Sequence, residues 1–256
     1  MGVFNAAADQ WYISTALFPK DEDVFVLGQH VFTQSAPCGL HEWLPTIGTR
    51  ELKVWNPDDM PAESAVPQEV IGDDGVDHLL AECHCGSVSF VIQRPTDEAL
   101  ADDNMRTLVS PVDQMKWKAC LDVCNDCRLA SGTHVSAWMY IPTLVCDPRN
   151  TKMTTYSASP GKQRSFCSKC GATVCFTYDR PGASATNSVS CIAVGILHAP
   201  EGVRADRWLT WRTEEVGWLD AGRQYDKELY ESLNEAYRSW GMVKDGKLLD
   251  FRFIQP

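Results

Sequence analysis

Seven of the chain's eleven cysteines fall into three groups whose spacing suits metal or thiol chemistry. One, Phe166-Cys167-Ser168-Lys169-Cys170-Gly171, has the form of a zinc knuckle: two thiolates separated by two residues can bind one ion, and the following glycine permits the tight turn beneath it. Another, Cys83-His84-Cys85-Gly86, sets two cysteines two apart just before a strand-like run. Four thiolates from two hairpin ends complete a closed tetrahedral site, so Cys83, Cys85, Cys167 and Cys170 are the expected ligands of a structural zinc. Such a site can supply on the order of 10 kcal/mol of folding free energy. Buried thiols packing as small hydrophobes are the plain alternative.

The remaining group, Cys120-Leu121-Asp122-Val123-Cys124-Asn125-Asp126-Cys127-Arg128, is left over once that ion is coordinated. Cys124 and Cys127 form another Cys-x-x-Cys pair, and Asp122 stands two residues before it. Two thiolates and one carboxylate make three protein ligands and leave a fourth position for water or substrate, which distinguishes a catalytic zinc from a structural one. Cys120 competes with Asp122 for the third place, and a redox pair or simple buried thiols are the other readings.

His134 can face the second site as an acid or base, since histidine titrates near neutral pH; its plain alternative is a polar residue at the mouth of a strand. His84 is expected to shape its turn and His198 to be structural. Arg128 can pair with a substrate carboxylate or lower a thiol pKa, or form an exposed salt bridge. Cys146, Cys175 and Cys191 lie in or beside strand-like runs and read as core, and Cys38 has no assigned role. Trp138, Trp208, Trp211 and Trp218 can wall an apolar pocket.

Taken in order, Cys-His-Cys-Gly, then Cys-x-x-Cys-Arg with the small-residue turn Ala130-Ser131-Gly132, then Phe-Cys-x-x-Cys-Gly resemble the glutathione-dependent formaldehyde-activating enzyme family, which shares its zinc-binding domain with centromere-protein-V-like proteins. The resemblance spans about residues 79–200 and implies a Mss4-like β fold. It also implies a structural zinc on Cys83, Cys85, Cys167 and Cys170, and a second zinc at which a glutathione thiol and an aldehyde combine or separate. The last two cysteines of the family's central Cys-x-Cys-x-x-Cys map onto Cys124 and Cys127, and the first is replaced by Asp122. A carboxylate is a harder ligand than a thiolate and leaves zinc more Lewis-acidic.

The elements that must position these groups are mostly short strands. Val88, Phe90 and Ile92 alternate with polar neighbours, and residues 135–141, 163–166, 172–178 and 189–197 are β-rich runs bounded by Gly, Pro, Asn or Asp. Residues 24–27 and 30–33 are weaker strand candidates. After residue 221 the period changes: Asp226 is a plausible N-cap, Leu229, Leu233, Ala236, Tyr237 and Trp240 share one helical face, and Gly241 is placed to end the helix. The expected fold is mainly β, an antiparallel sheet or sandwich with a C-terminal helix. Its parts are an extension over 1–78 closed by a Pro- and acid-rich linker, a zinc-binding domain over 79–220, and a helix and tail over 221–256. A weak echo between Leu27-Gly28-Gln29-His30 and Val194-Gly195-Ile196-Leu197-His198 suggests that the extension is a decayed duplicate half-domain.

With 44% hydrophobic and 22% charged residues over 256 positions, the composition is that of a globular protein. The net charge of −11, with 23 basic residues spread thinly, disfavours nucleic acid and anionic membrane as partners. Residues 1–10 lack a secretion signal and no apolar run approaches a membrane span, so a cytoplasmic location is expected. These features point to a zinc-dependent lyase-type enzyme acting on a carbon–sulfur bond in a small-molecule substrate such as a glutathione or other thiol adduct. A zinc-dependent dehydratase, isomerase or cyclase on a natural-product-like molecule is the nearest variant, and a zinc-stapled binding module is the non-catalytic alternative. The oligomeric state is not encoded in any feature of this kind.

Overall fold

A computed structural model describes residues 2–6, 9–20, 24–58, 67, 70–72, 75–143, 152–180 and 188–251. Cys146 and most of the expected linker lie outside these residues. The leading part of the chain forms small pieces of sheet. β1 (Gly2–Asn5) and β2 (Gln10–Ile13) make a hairpin, followed by β3 (Gln29–Val31), β4 (Thr46–Ile47), β5 (Arg50–Glu51) and β6 (Lys53–Trp55), with β3 parallel to β6 and β4 antiparallel to β5. β7 (Val70–Ile71), β8 (Asp77–Glu82) and β9 (Ser89–Ile92) form a three-stranded sheet. The expected boundary at 78 therefore falls inside β8. Residues 24–27 are not a strand: among the described residues no strand pairs with them, and Val24 and Val26 are exposed.

The main sheet holds seven strands: β10 (Trp117–Asp122), β11 (Ser136–Pro142), β12 (Met153–Ser159), β13 (Lys162–Cys167), β14 (Thr173–Asp179), β15 (Ser188–Ala193) and β16 (Leu209–Trp211). Their spatial order is β12-β13-β14-β15-β11-β10-β16, antiparallel throughout except for the parallel β10–β16 pair. The protein is mainly β, as its alternating runs imply. All six residues of β10 are buried, Lys118, Cys120 and Asp122 as well as Trp117, Ala119 and Leu121, so both its faces are covered.

Residues paired directly across an antiparallel ladder share a face. Ala119, Met139 and Ile192 align in this way across β10, β11 and β15, and Leu121 faces Ala137. This face is core, and Leu121 and Ala137 line a small apolar cavity with Tyr237 and Trp240 of the C-terminal helix. Helices α1 (Asp97–Ala101) and α2 (Asp103–Arg106) precede the sheet, α3 (Asn125–Ser131) follows β10, and α4 (Leu219–Tyr225) and α5 (Lys227–Asp245) close the chain. In α5, Leu229, Tyr230, Leu233 and Tyr237 are buried, each contributing roughly 1.5–3 kcal/mol for its apolar surface. Asp226 caps the helix as expected, its Oδ1 accepting the Leu229 N–H at 3.1 Å.

Gly241 does not end α5; the helix runs on to Asp245 and closes at Gly246 in the left-handed conformation. Gly241 is glycine for a steric reason, since a Cβ there would sit 2.4 Å from the Thr213 side chain. The leading residues add Leu44, Ile47 and Leu52 to the same core, and Trp43 stacks against Tyr237 and Trp240 at 5.5 and 6.0 Å. Among the described residues no helix is long and apolar enough to cross a membrane.

Candidate active site and metal centres

The loop between β8 and β9 carries Cys83 and Cys85; Cys167 ends β13 and Cys170 lies in the following turn. Gly86 and Gly171, at φ 69° and 72°, each follow the second cysteine of their pair and let both loops fold back on themselves. The four sulfur atoms all lie within 4.8 Å of one another. Cys83 and Cys85 are 3.6 Å apart and Cys85 and Cys167 3.7 Å apart, against an edge of about 3.8 Å for a tetrahedron with zinc–sulfur bonds of about 2.3 Å. Backbone N–H groups of Val88 and Lys169 donate to the Cys83 and Cys167 sulfurs at 3.3 and 3.4 Å. The Ser87 side chain and amide lower the Cys85 thiol to about 6, and the Cys170 amide lowers Cys167. Against the Ala172 amide, which lowers it, burial and the Cys167 and Cys85 side chains raise Cys170. Four sulfurs held at tetrahedral spacing, two of them favoured as thiolates, are a donor set that fits a cation.

The second cluster forms where β10 turns into α3. Asp122 ends the strand, Cys124 caps the helix, and Cys127 sits in its first turn. Asp122 Oδ1 accepts the Cys124 N–H at 2.8 Å, and the Cys124 sulfur accepts the Cys127 N–H at 3.2 Å. Their ligand atoms also lie within 4.8 Å of one another. Burial raises Asp122 above the usual carboxylate range, and the Cys127 side chain together with burial raises Cys124, outweighing the Cys127 N–H, which lowers it. A carboxyl and a thiol that both resist ionisation, with a second thiol beside them, are a set that a cation would relieve. Gly217 holds the strand end in place: its N–H donates to Leu121 O at 2.7 Å and its carbonyl accepts the Val123 N–H at 3.0 Å. Cys120 lies outside the cluster; it is hydrogen-bonded to the Tyr140 hydroxyl at 3.3 Å and pushed up to about 12 by burial.

Sheet register then determines what faces this cluster. Cys120 pairs with Trp138, Tyr140 with Cys191, Cys191 with Phe176, and Phe176 with Arg164, while Tyr178 pairs with Lys162. The face opposite the core is thus a band of aromatic rings with a basic edge. It lines a cavity of about 440 Å3 with Asp122, Cys124 and Cys127 in its wall and Trp218, Asp126 and Arg212 around it. Of the tryptophans expected at a pocket, Trp138 and Trp218 line this one, Trp211 lines a smaller apolar cavity, and Trp208 lies under the Arg94 guanidinium at 4.0 Å.

His134 does not line the cavity: its Nε2 is hydrogen-bonded to Thr15 Oγ1 at 2.9 Å, its ring packs near Phe25 and Tyr225, and burial lowers its pKa. Arg128 is buried, with neither the exposed salt bridge nor the substrate-facing position expected of it. It donates to Ala16 O and to Asn125 Oδ1, and lies 3.9 Å from the Tyr225 ring centre. His84 is exposed in its turn, and His198 pairs with Glu82 O at 3.2 Å in a structural role. Cys175 and Cys191 are buried, although Cys191 belongs to the cavity face. Arg164, Lys162, Tyr140, Phe176 and Tyr178 were not legible as site residues, because only strand register brings them to one face.

Residues 108–213 match the glutathione-dependent formaldehyde-activating enzyme family. The match takes in Asp122, Cys124, Cys127, Cys167 and Cys170, while Cys83 and Cys85 precede it. A crystal structure of a Rhodobacter sphaeroides protein is similar at 18% identity and a TM-score of 0.32, covering 52% of this chain and 98% of its own. Among curated proteins none matches the chain.

Proposed function

From a chain that carries at residues 108–213 a domain of the glutathione-dependent formaldehyde-activating enzyme family, we propose a zinc-dependent lyase-type enzyme that makes or breaks a carbon–sulfur bond in a small thiol adduct. The observation that carries this reading is the Asp122, Cys124 and Cys127 cluster, with ligand atoms within 4.8 Å, in the wall of a cavity of about 440 Å3. Cys83, Cys85, Cys167 and Cys170 would hold a structural zinc, and Asp122, Cys124 and Cys127 a catalytic one. A zinc ion at the second site supplies Lewis acidity and favours a bound thiol as its thiolate.

The chain's own residues do the rest. Trp138, Phe176 and Trp218 give the cavity apolar walls, and a charge beside a wall of low dielectric interacts more strongly than one in water. With His134 turned toward Thr15, Asp126 is the carboxylate that lines the cavity without belonging to the ligand set. As the carbon–sulfur bond forms it takes the thiol proton as a general base and delivers it as a general acid to the carbonyl oxygen, which becomes the hydroxyl; on cleavage the same proton runs back from the hydroxyl to the departing sulfur. The aromatic walls also suit the variant without sulfur, a dehydration or cyclisation of an aromatic natural-product-like molecule.

The experiment that tests the reading is exchange spectroscopy on the purified protein with 13C-formaldehyde and glutathione, then with larger aldehydes. Catalysed interconversion of free aldehyde and hydroxyalkyl thioether, lost in Cys127→Ser, supports it. Uncatalysed exchange with every thiol and aldehyde pair contradicts it.

A further inference from the structure

The basic edge of the cavity has no task in the chemistry above. Arg164 and Lys162 both line the cavity, and among the described residues neither side chain makes a hydrogen bond or an ion pair. The other cavity cation, Arg212, is different: its Nε donates to Asp250 at 3.1 Å. Arg164 is half-buried, with its guanidinium 4.7 Å from the Phe176 ring centre. Its positive charge acts on both Asp122 and Cys191, which locates it over the sheet face and near the second cluster. A half-exposed guanidinium with no described carboxylate in hydrogen-bond contact, held against an aromatic wall inside a cavity, is placed to receive an anion in a protein whose net charge is −11.

We infer that the substrate is an arene bearing a carboxylate, its ring lying against Trp138 and Phe176 and its carboxylate on Arg164 and Lys162. The inference rests on the active-site assignment above and names the substrate class for it. Each part of the class has its own support. Arginine matches a carboxylate with two parallel N–H donors, and Lys162, two residues along the same strand, adds a second charge on the same face. Rings of Trp138, Tyr140, Phe176, Tyr178 and Trp218 give an aromatic ligand flat surfaces to stack on. Glutathione also carries carboxylates, but its flexible peptide chain would leave most of those surfaces uncovered.

The test is calorimetric binding to the purified metal-containing protein with three probes: 1-naphthoate, its neutral analogue 1-naphthamide, and S-methylglutathione. 1-Naphthoate should bind at least about tenfold more tightly than either of the others. Arg164→Gln and Lys162→Gln should each reduce the preference for naphthoate over naphthamide several-fold, with naphthamide affinity, metal content and thermal stability unchanged. Arg164→Lys should keep part of the preference, because charge persists without the planar fork. Equal binding of naphthoate and naphthamide to the wild type would overturn the inference. So would a preference that survives Arg164→Gln, which would assign the carboxylate to the metal, or tightest binding of S-methylglutathione. Loss of metal in Arg164→Gln with the preference intact would make Arg164 a counter-charge for the metal site, and the inference would fall. None of these readouts involves thiol turnover, so failure of the carbon–sulfur reading leaves a separate signature.

Discussion

Asp122 Oδ1 accepts the backbone N–H of Cys124 at 2.8 Å, so one carboxylate both closes the turn from β10 into α3 and faces the Cys124 and Cys127 sulfurs. Asparagine can keep the first role but not the charge; alanine can keep neither. Asp122→Ala is therefore expected to be less stable than Asp122→Asn by about 1–3 kcal/mol, the cost of leaving a buried N–H without its acceptor. Urea denaturation of the two variants checks this, and equal midpoints would show that the hydrogen bond contributes nothing.

The outer cluster should behave as a staple. Cys83→Ala and Cys167→Ala each remove a buried sulfur from a closed set of four, and with it much of the folding free energy that a structural zinc contributes, about 10 kcal/mol or more. Insoluble or unfolded protein is expected. Soluble variants with wild-type melting temperature and zinc content would contradict the assignment.

The outer cluster was legible in the sequence because its information is local: two short spacings, each with a glycine that the turn requires. The strands over 135–141 and 172–178 were legible for the same kind of reason, a side-chain period of two. Met153–Ser159 was not, because its run of Thr, Tyr, Ser and Ala carries little apolar signal, and the burial of Trp117–Asp122 was not, because Lys118 and Asp122 look like solvent-facing positions although both faces of the strand are covered. Gly241 looked like a helix end and is instead a contact with Thr213, a partner 28 positions away that no local pattern reveals. The cationic edge of the cavity depends on pairings such as Arg164 with Phe176 and Phe176 with Cys191, and register of that kind is a tertiary fact.

The inner pair should be needed for function and not for folding. Serine is a strong helix N-cap, so Cys124→Ser keeps the cap that the thiol now supplies to Cys127 N–H. Both Cys124→Ser and Cys127→Ser are expected to fold with melting temperatures within a few degrees of wild type, as measured by calorimetry, and to lose turnover by at least about a hundredfold. If both unfold as badly as the outer-cluster variants, the division between the two clusters is wrong.

Acid should release metal from the two clusters in a fixed order. A metal binds the deprotonated ligands, so a ligand whose pKa is raised competes with protons at higher pH. Burial raises Asp122, and Cys124 is raised as well; in the outer cluster Cys170 is raised too, but Cys85 is lowered to about 6 and Cys167 is also lowered, so two of its four sulfurs stay deprotonated to lower pH. As pH falls from 8, one equivalent of zinc should leave first, from Asp122, Cys124 and Cys127, and the second only near or below pH 6. A chromogenic chelator reads both steps. The first step should be missing in Cys124→Ser, and release of both equivalents in one step would count against the ordering.

The identity of the third inner ligand is the centre of the account, and zinc stoichiometry in three proteins tests it most directly. Cys120 is hydrogen-bonded to the Tyr140 hydroxyl and stands outside the cluster, whereas Asp122 belongs to it. Two zinc ions per chain are predicted for the wild type, two for Cys120→Ala, and one for Asp122→Asn. One zinc in the wild type, or loss of the second ion in Cys120→Ala with retention in Asp122→Asn, would contradict the assignment of Asp122 as a metal ligand.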